Sequence, residues 1–98
     1  MAAKYSIEWT ERALKDLEQL YNFLLTEWSE KEAEKFLDLI REFELLISAH
    51  PSSFPKTKRY KSLRIGLIHR NCSAVYSATG NSITIVTIFD NRKNSGYR

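Results

Sequence analysis

The sequence is poor in the residues that cross-link small proteins. Its 98 residues include one cysteine, Cys72, and two histidines, His50 and His69. A lone cysteine excludes an internal disulfide, and these three side chains are too few for a structural zinc site. We therefore expect a domain held together by packing alone, without a metal or a cofactor.

Long apolar runs, glycine and proline are also scarce. The longest uninterrupted apolar stretches are a few residues long, whereas about 20 are needed to cross a bilayer. The first residues show no charged start followed by an apolar run, so no secretory signal is visible. With 43% apolar residues, 3 glycines and 2 prolines, the composition is that of a folded chain. We expect one cytoplasmic domain over residues 1–98, with no membrane contact.

Familiar enzyme signatures are missing as well. The chain has no glycine-rich phosphate loop, no Gly-x-Ser-x-Gly elbow and no His-Glu-x-x-His pair. Cys72 has only His69 nearby in sequence, and a histidine in a hairpin turn more often caps exposed backbone than activates a thiol. These absences exclude the common phosphate-binding, serine-hydrolase and metalloprotease motifs.

Hydrophobic periodicity predicts a first strand followed by two helices. Residues 5–9 alternate apolar and polar side chains, which is typical of a half-buried strand. Thr10 is the predicted N-cap of an amphipathic helix, whose apolar residues recur at steps of three and four: Ala13, Leu14, Leu17, Leu20, Tyr21, Leu24 and Trp28. Ser29 and Glu32 form a capping-box pattern, so a second helix begins at once and ends before Pro51.

The rest of the chain is predicted to be β. Strands are indicated over residues 63–68, 73–77 and 82–89, with turns at 69–71 and at 79–81. The last strand is richest in β-branched residues and is expected to lie centrally in the sheet. The order β-α-α-β-β-β predicts an α+β fold in which an antiparallel helical hairpin packs on a small antiparallel sheet.

The same patterns predict which side chains are buried. The second helix has a wide apolar arc, and its expected sheet-facing residues are Phe36, Ile40, Phe43 and Ile47. Their expected partners on the strands are Ile65, Val75, Ile85 and Ile88. Two tryptophans on apolar faces are also predicted to be core, Trp9 and Trp28. Three apolar residues lie off the main stripes and are available to a partner: Phe23, Leu25 and Leu45.

Charge is divided between the two halves of the chain. Residues 10–49 carry ten acidic and five basic side chains, whereas residues 50–98 carry nine basic side chains against Asp90 alone. This division predicts a basic face that binds phosphates or an acidic protein segment. The alternative is a solvated surface with no anionic partner.

Four residues on or after the strands are candidates for contact with a target: Arg64, Arg92, Lys93 and Tyr97. If the last strand is central, its end places Arg92 at the mouth of the sheet. Clustered guanidinium groups there would suit phosphate oxygens, because the planar fork donates paired hydrogen bonds. Tyr97 offers a ring for base stacking or a hydroxyl for proton transfer.

An ordered set of short motifs runs through residues 4–93: Tyr5-x-Ile7-x-Trp9-Thr10, Asp16-Leu17, Leu20-Tyr21-x-Phe23-Leu24, Val75-Tyr76-Ser77 and Phe89-Asp90-x-Arg92. In this set the chain resembles the RelE/ParE superfamily of toxins from bacterial type II toxin–antitoxin systems. The resemblance implies the same fold that periodicity predicts. It also implies a cognate antitoxin as partner, in a toxin–antitoxin hetero-oligomer.

Two activities share that scaffold, and the resemblance separates them by cations on the strands. The branch that cleaves mRNA on the ribosome carries Lys-x-Lys and an arginine at positions that correspond here to Arg64, Gly66 and Ser73. Scission requires a deprotonated 2′-hydroxyl, a stabilised phosphorane and a protonated leaving oxygen, so the two missing cations should weaken it strongly. The resemblance therefore favours ParE-like action on DNA gyrase, with Arg64, Arg92 and Lys93 as target-binding residues.

The alternatives stay open at the level of sequence. One is a ribosome-dependent mRNA endoribonuclease, in which Arg64, Arg92 and Tyr97 would be catalytic. The other is a non-toxic binding module.

Overall fold

The computed structural model describes residues 5–92 and has the predicted order of elements. Strand β1 (Ser6–Trp9) leads into helices α1 (Glu11–Glu27) and α2 (Glu30–Ala49), and strands β2 (Arg64–His69), β3 (Cys72–Thr79) and β4 (Ser82–Asp90) follow. The α+β class and the order β-α-α-β-β-β are confirmed. Over residues 5–92, none of the helices has the length and hydropathy that a membrane span requires.

Both helices begin at the predicted caps. The hydroxyl of Thr10 accepts the Ala13 N–H at 3.0 Å, and the hydroxyl of Ser29 accepts the Glu32 N–H at 3.1 Å. Each bond satisfies a backbone donor that has no partner within the first helical turn. Because only two residues separate α1 from α2, the helices form a tight antiparallel hairpin, and α2 ends before Pro51 as predicted.

The four strands form one sheet in the order β1-β4-β3-β2, with β4 in the interior as predicted. Strands β2, β3 and β4 are antiparallel, and Gly80 (φ 61°) allows the tight turn between β3 and β4. Strand β1 differs from the prediction, because it pairs in parallel with β4, starting at Ser6 and Ser82. Parallel neighbours need a long connection, and here the chain between them includes both helices and two strands.

Helix α1 covers the part of β4 that β1 leaves open. Strand β1 pairs only with residues 82–85 of β4. Beyond that point the Thr10 hydroxyl donates to the Val86 carbonyl at 2.7 Å. The Asp16 carboxylate accepts hydrogen bonds from the Thr87 hydroxyl at 2.5 Å and from the Ile88 N–H at 3.4 Å. These hydrogen bonds provide partners for backbone groups of β4 that would otherwise lie unpaired at an edge of the sheet.

The sheet-facing side of α2 is the predicted one. Its large buried apolar residues are Phe36, Ile40, Phe43 and Ile47, and they share one core with Ile85 and Ile88 of β4. Ring contacts extend this core. The ring centroid of Phe43 lies 5.5 Å from that of Phe54 and 6.1 Å from that of Tyr76, and the Phe43 and Tyr76 rings meet edge to face.

The prediction that Ile65 and Val75 pack against α2 is wrong, because these two residues lie on the other face of the sheet. The β2 residues on the side of α2 include Ile68, which belongs to the same core, and Gly66, where an added Cβ would lie 2.8 Å from Phe43 Cε1. Side chains alternate along a strand, so Ile65 points away from the helices, and its cross-strand partner Val75 points with it.

The two tryptophans differ in burial. Trp9 is half-buried against the core, and its indole N–H donates to the Glu44 carboxylate at 2.9 Å. Trp28 is 70% exposed, so its predicted core position is wrong. It is the C-cap of α1, with φ −122° and ψ −94°, and the helical period that would place it on the buried face no longer applies there.

Truncation of Phe43 should strongly destabilise the fold. Phe43 is 4% exposed, so Phe43→Ala should lower the free energy of unfolding by about 3–5 kcal/mol, as for other buried rings truncated in close-packed cores. Urea denaturation measures the change. Leu45→Ala is the control on the same helix, because Leu45 is 62% exposed and its loss should cost no more than about 0.5 kcal/mol. Equal losses for the two variants would contradict the assigned helix face.

Candidate functional site

A groove of about 470 Å³ lies at one end of the sheet, between the helical hairpin and the β2–β3 turn. We call it the end groove. Its apolar walls come mainly from α1 and α2, through Leu20, Phe23, Leu24, Trp28, Phe36 and Leu39. Its polar lining consists of Glu32, Lys35, His69, Arg70, Asn71, Asp90 and Arg92. The site thus combines exposed apolar surface with charged groups.

Arg92 is held in the end groove by a two-point ion pair with Asp90. Its Nε donates to one carboxylate oxygen at 2.9 Å and its Nη2 to the other at 2.6 Å, while its backbone N–H donates at 2.8 Å. These hydrogen bonds and the adjacent negative charge raise the pKa of Arg92. The Arg92 side chain is 67% exposed, against 18% for Asp90, and its Nη1 is not part of the ion pair. The guanidinium is therefore oriented and still accessible.

Asn91 ties the end of β4 to the β2–β3 turn. Its backbone N–H donates to the Asn71 carbonyl at 2.9 Å, and its side-chain amide donates to the Arg70 carbonyl at 3.0 Å. The Ser73 hydroxyl donates to the Asn91 side-chain oxygen at 2.6 Å. These three bonds fix the position of Arg92 relative to the turn.

Arg64 lies at the end of β2 that points away from the end groove, level with Ile85 in the middle of β4, so the predicted cluster with Arg92 does not form. Strands β2 and β4 are both antiparallel to β3 and therefore run in the same direction. Arg64 begins β2, whereas Arg92 follows the end of β4. The Arg64 guanidinium donates to the Phe54 carbonyl at 2.7 Å, a contact that fixes the preceding loop. The other candidates, Lys93 and Tyr97, lie outside the described residues.

The positions that carry cations in the nuclease branch do not form a cationic centre here. At Gly66 an added Cβ would lie 2.7 Å from Phe54 Cδ2 and 2.8 Å from Phe43 Cε1, so a lysine there would displace two rings. Ser73 is 2% exposed, and its hydroxyl is bound to Asn91. Of the three positions, only Arg64 supplies a positive charge.

Two features of the end groove were missed by sequence reasoning. Trp28 lines the groove instead of the core. The Asp90–Arg92 ion pair was also not foreseen, although an aspartate two residues before an arginine at a strand end is a signal for an Asx turn. Trp28 lies in the apolar stripe of the first helix, and Asp90 and Arg92 lie in the last short motif. The sequence predicts other roles for all three residues.

Cys72 also lines the end groove but is not an activated nucleophile. Burial, and secondarily the negative charge of Asp90, raise the pKa of the Cys72 thiol to about 12. At neutral pH the thiol is therefore protonated, and only the thiolate is reactive. Within residues 5–92 there is also no group of three or more His, Cys, Asp or Glu side chains placed to hold a metal ion.

Comparison with known protein families identifies the class to which this fold and groove belong. The family model described as "ParE toxin of type II toxin-antitoxin system, parDE" matches residues 7–95. This chain therefore belongs to the ParE family of toxins of type II toxin–antitoxin systems. The resemblance to the RelE/ParE superfamily is confirmed. No curated protein matched the chain.

Solved structures of several other proteins share the fold. A chain of the chromosomal ParDE system from P. aeruginosa is 21% identical, with 91% of this chain and 98% of that chain covered and a TM-score of 0.75. A chain of the E. coli DinJ–YafQ complex is 10% identical, with 91% and 94% covered and a TM-score of 0.64. The YoeB dimer of Staphylococcus aureus is 17% identical, with 89% and 97% covered and a TM-score of 0.63. At these identities the likeness is one of fold.

The raised pKa of Cys72 predicts an unreactive thiol. At pH 8 a disulfide reagent should modify the folded protein much more slowly than the urea-unfolded chain, because a pKa near 12 instead of 9 leaves about a thousandfold less thiolate. The folded-state pKa lies above the unfolded value. Cys72 therefore favours folding below pH 9, and that contribution is lost as pH rises towards 12. Equal rates in the folded and unfolded chains would contradict this assignment.

Proposed function

We propose that this ParE-family toxin arrests growth by acting on DNA gyrase, as one cytoplasmic domain spanning residues 1–98. The observation that carries the proposal is Gly66, which lies beneath the rings of Phe43 and Phe54 where the nuclease branch has its second lysine. RNA scission depends on cations that stabilise the charge of the phosphorane. A chain whose core fills that position is better suited to inhibit a protein target than to cleave RNA.

The charges of the end groove also favour a protein target. Two of the end groove's three Lys and Arg side chains are paired, because Arg92 binds Asp90 and the Lys35 Nζ lies 3.9 Å from the Glu32 Oε1, and Arg70 is the third. A nuclease centre needs several unmatched cations, whereas mostly paired charges around apolar walls resemble the surface of a protein–protein interface. Trp28 is 70% exposed there, and aromatic residues of this kind are common anchors of binding. Among the predicted target-binding residues we assign the main contact to Arg92, which Lys93 follows in the chain, and a supporting role to Arg64.

A cognate antitoxin is the second partner that we propose. The similar structures from P. aeruginosa and E. coli are described as a ParDE toxin–antitoxin system and a DinJ–YafQ toxin–antitoxin complex. The three predicted partner-binding residues are exposed: Phe23 by 50%, Leu25 by 41% and Leu45 by 62%. An antitoxin segment that covers the helical hairpin and brings acidic residues to the basic half would bury on the order of 1,000–3,000 Å².

Loss of Arg92 should abolish growth arrest without unfolding the protein. Arg92 is exposed, so Arg92→Ala should leave the thermal midpoint nearly unchanged while it removes the oriented guanidinium from the end groove. The measurement is growth after induction without antitoxin, together with the SOS response and chromosomal DNA breaks expected of gyrase inhibition.

Arg41→Ala is the matched control for that variant. Arg41 is 69% exposed and binds the Asp38 carboxylate at 3.0 Å, but it lies on α2 and does not line the end groove. It should remain toxic. Growth arrest that survives Arg92→Ala, or mRNA cut within codons in place of broken DNA, would contradict the proposal.

Antitoxin binding should change the fluorescence of Trp28. In a Trp9→Phe variant Trp28 is the sole tryptophan, and its 70% exposed indole should shift its emission to shorter wavelengths when the antitoxin covers the end groove. The antitoxin should also co-purify with the toxin at moderate salt. A complex that forms without any shift would place the antitoxin on another surface.

A further inference from the structure

A second charged surface lies between α2 and β2, away from the end groove. Four cations fall within six residues of this segment: Lys56, Lys58, Arg59 and Lys61. All four are exposed, and in the described part of the chain none of them takes part in an ion pair. The sequence has no acidic residue between Glu44 and Asp90. We call residues 55–63 the basic loop.

The basic loop is held in one shape by a buried threonine. Thr57 is 4% exposed, and its hydroxyl both donates to the Tyr60 carbonyl at 2.6 Å and accepts the Tyr60 N–H at 2.9 Å. The Thr57 N–H donates to the Leu63 carbonyl at 2.9 Å, and the Ile65 N–H donates to the Pro55 carbonyl at 3.0 Å. The loop is thereby tied to the outer edge of β2. The backbone that carries the cations is therefore preorganised, which lowers the entropy cost of binding.

An exposed aromatic ring lies among these cations. Tyr60 is 44% exposed, and the Arg59 guanidinium lies over its ring, 5.9 Å from the centroid. Positive side chains interleaved with an aromatic ring are typical of surfaces that follow a nucleic-acid backbone and stack an exposed base.

We propose that the basic loop binds the phosphate backbone of a nucleic acid without sequence preference, with Tyr60 as a stacking platform for an unpaired base. The proposed antitoxin segment would meet the basic half at Arg70 and Arg92, beside the apolar walls of the end groove, so the basic loop is left for a different polyanion. The proposal does not depend on gyrase as the target, since DNA and RNA present the same phosphates. The two surfaces are separate, so one molecule can engage a protein and a nucleic acid together.

The salt dependence of binding tests this proposal. Fluorescence anisotropy would follow the purified protein on labelled duplex DNA, single-stranded DNA and single-stranded RNA of equal length. Each phosphate contact contributes about −0.9 to the slope of log K against log salt on duplex DNA, so three contacts predict a roughly 40-fold loss of affinity between 50 and 200 mM salt. The triple substitution Lys58→Gln/Arg59→Gln/Lys61→Gln should reduce the magnitude of the slope of log K against log salt by about 2–3, and each single substitution should reduce it by about 1.

A matched control removes the same charge elsewhere. Lys15→Gln/Lys31→Gln/Arg41→Gln changes three exposed cations of the helical hairpin and should bind as the wild type does. Equal weakening of both triple variants, or no binding by the wild type at 50 mM salt, would overturn the proposal. Tighter binding of polyglutamate than of any nucleic acid would also overturn it, because the surface would then serve an acidic protein.

Two further substitutions separate the ring from the cations. Tyr60→Ala should weaken binding to single strands more than to duplex DNA. Tyr60→Phe should bind single strands as the wild type does, because stacking needs the ring and not the hydroxyl. Thermal midpoints verify that each variant is folded. An equal effect of Tyr60→Ala on single-stranded and duplex DNA would contradict the role of Tyr60 as a stacking platform.

Discussion

The contact of two phenylalanine rings with the bare backbone of Gly66 is the constraint on which the rest of the structure depends. The rings of Phe43 and Phe54 approach β2 more closely than any side chain at position 66 would allow. Tyr76 completes the cluster, and its hydroxyl donates to the Pro51 carbonyl at 2.7 Å. The same close packing that joins α2 to the sheet leaves no room for a lysine at position 66.

Charge gathers at two separate places around the sheet. At the start of β2, Arg64 binds the Phe54 carbonyl and fixes the loop from which the neighbouring cations project. At the end of β4, Asp90 orients Arg92 beside an apolar groove. Within the described residues the first surface carries four cations without an ion-pair partner, whereas the second carries mostly paired charges next to exposed aromatic rings. The two therefore suit different partners, a polyanion and a protein.

Local patterns predicted the elements well, and contacts between distant segments account for the errors. The period of α2 identified its buried face, from Phe36 to Ile47, because one amphipathic helix carries that information by itself. The parallel pairing of β1 with β4 depends on a long return of the chain, which no local pattern encodes. Trp28 continues the apolar stripe of α1, yet it lies past the last helical turn. The sequence predicts one cluster of Arg64 and Arg92, but the strand directions place Arg64 at the start of β2 and Arg92 after the end of β4.

The most direct test of this account compares two purified targets side by side. The toxin would be added to a DNA supercoiling reaction with gyrase and, at the same concentrations, to ribosomes translating a defined mRNA. A core that fills the position of a nuclease cation predicts loss of supercoiling with the mRNA intact. Codon-dependent cleavage of the mRNA, with gyrase unaffected, would contradict the claim that the packing at Gly66 excludes ribonuclease chemistry.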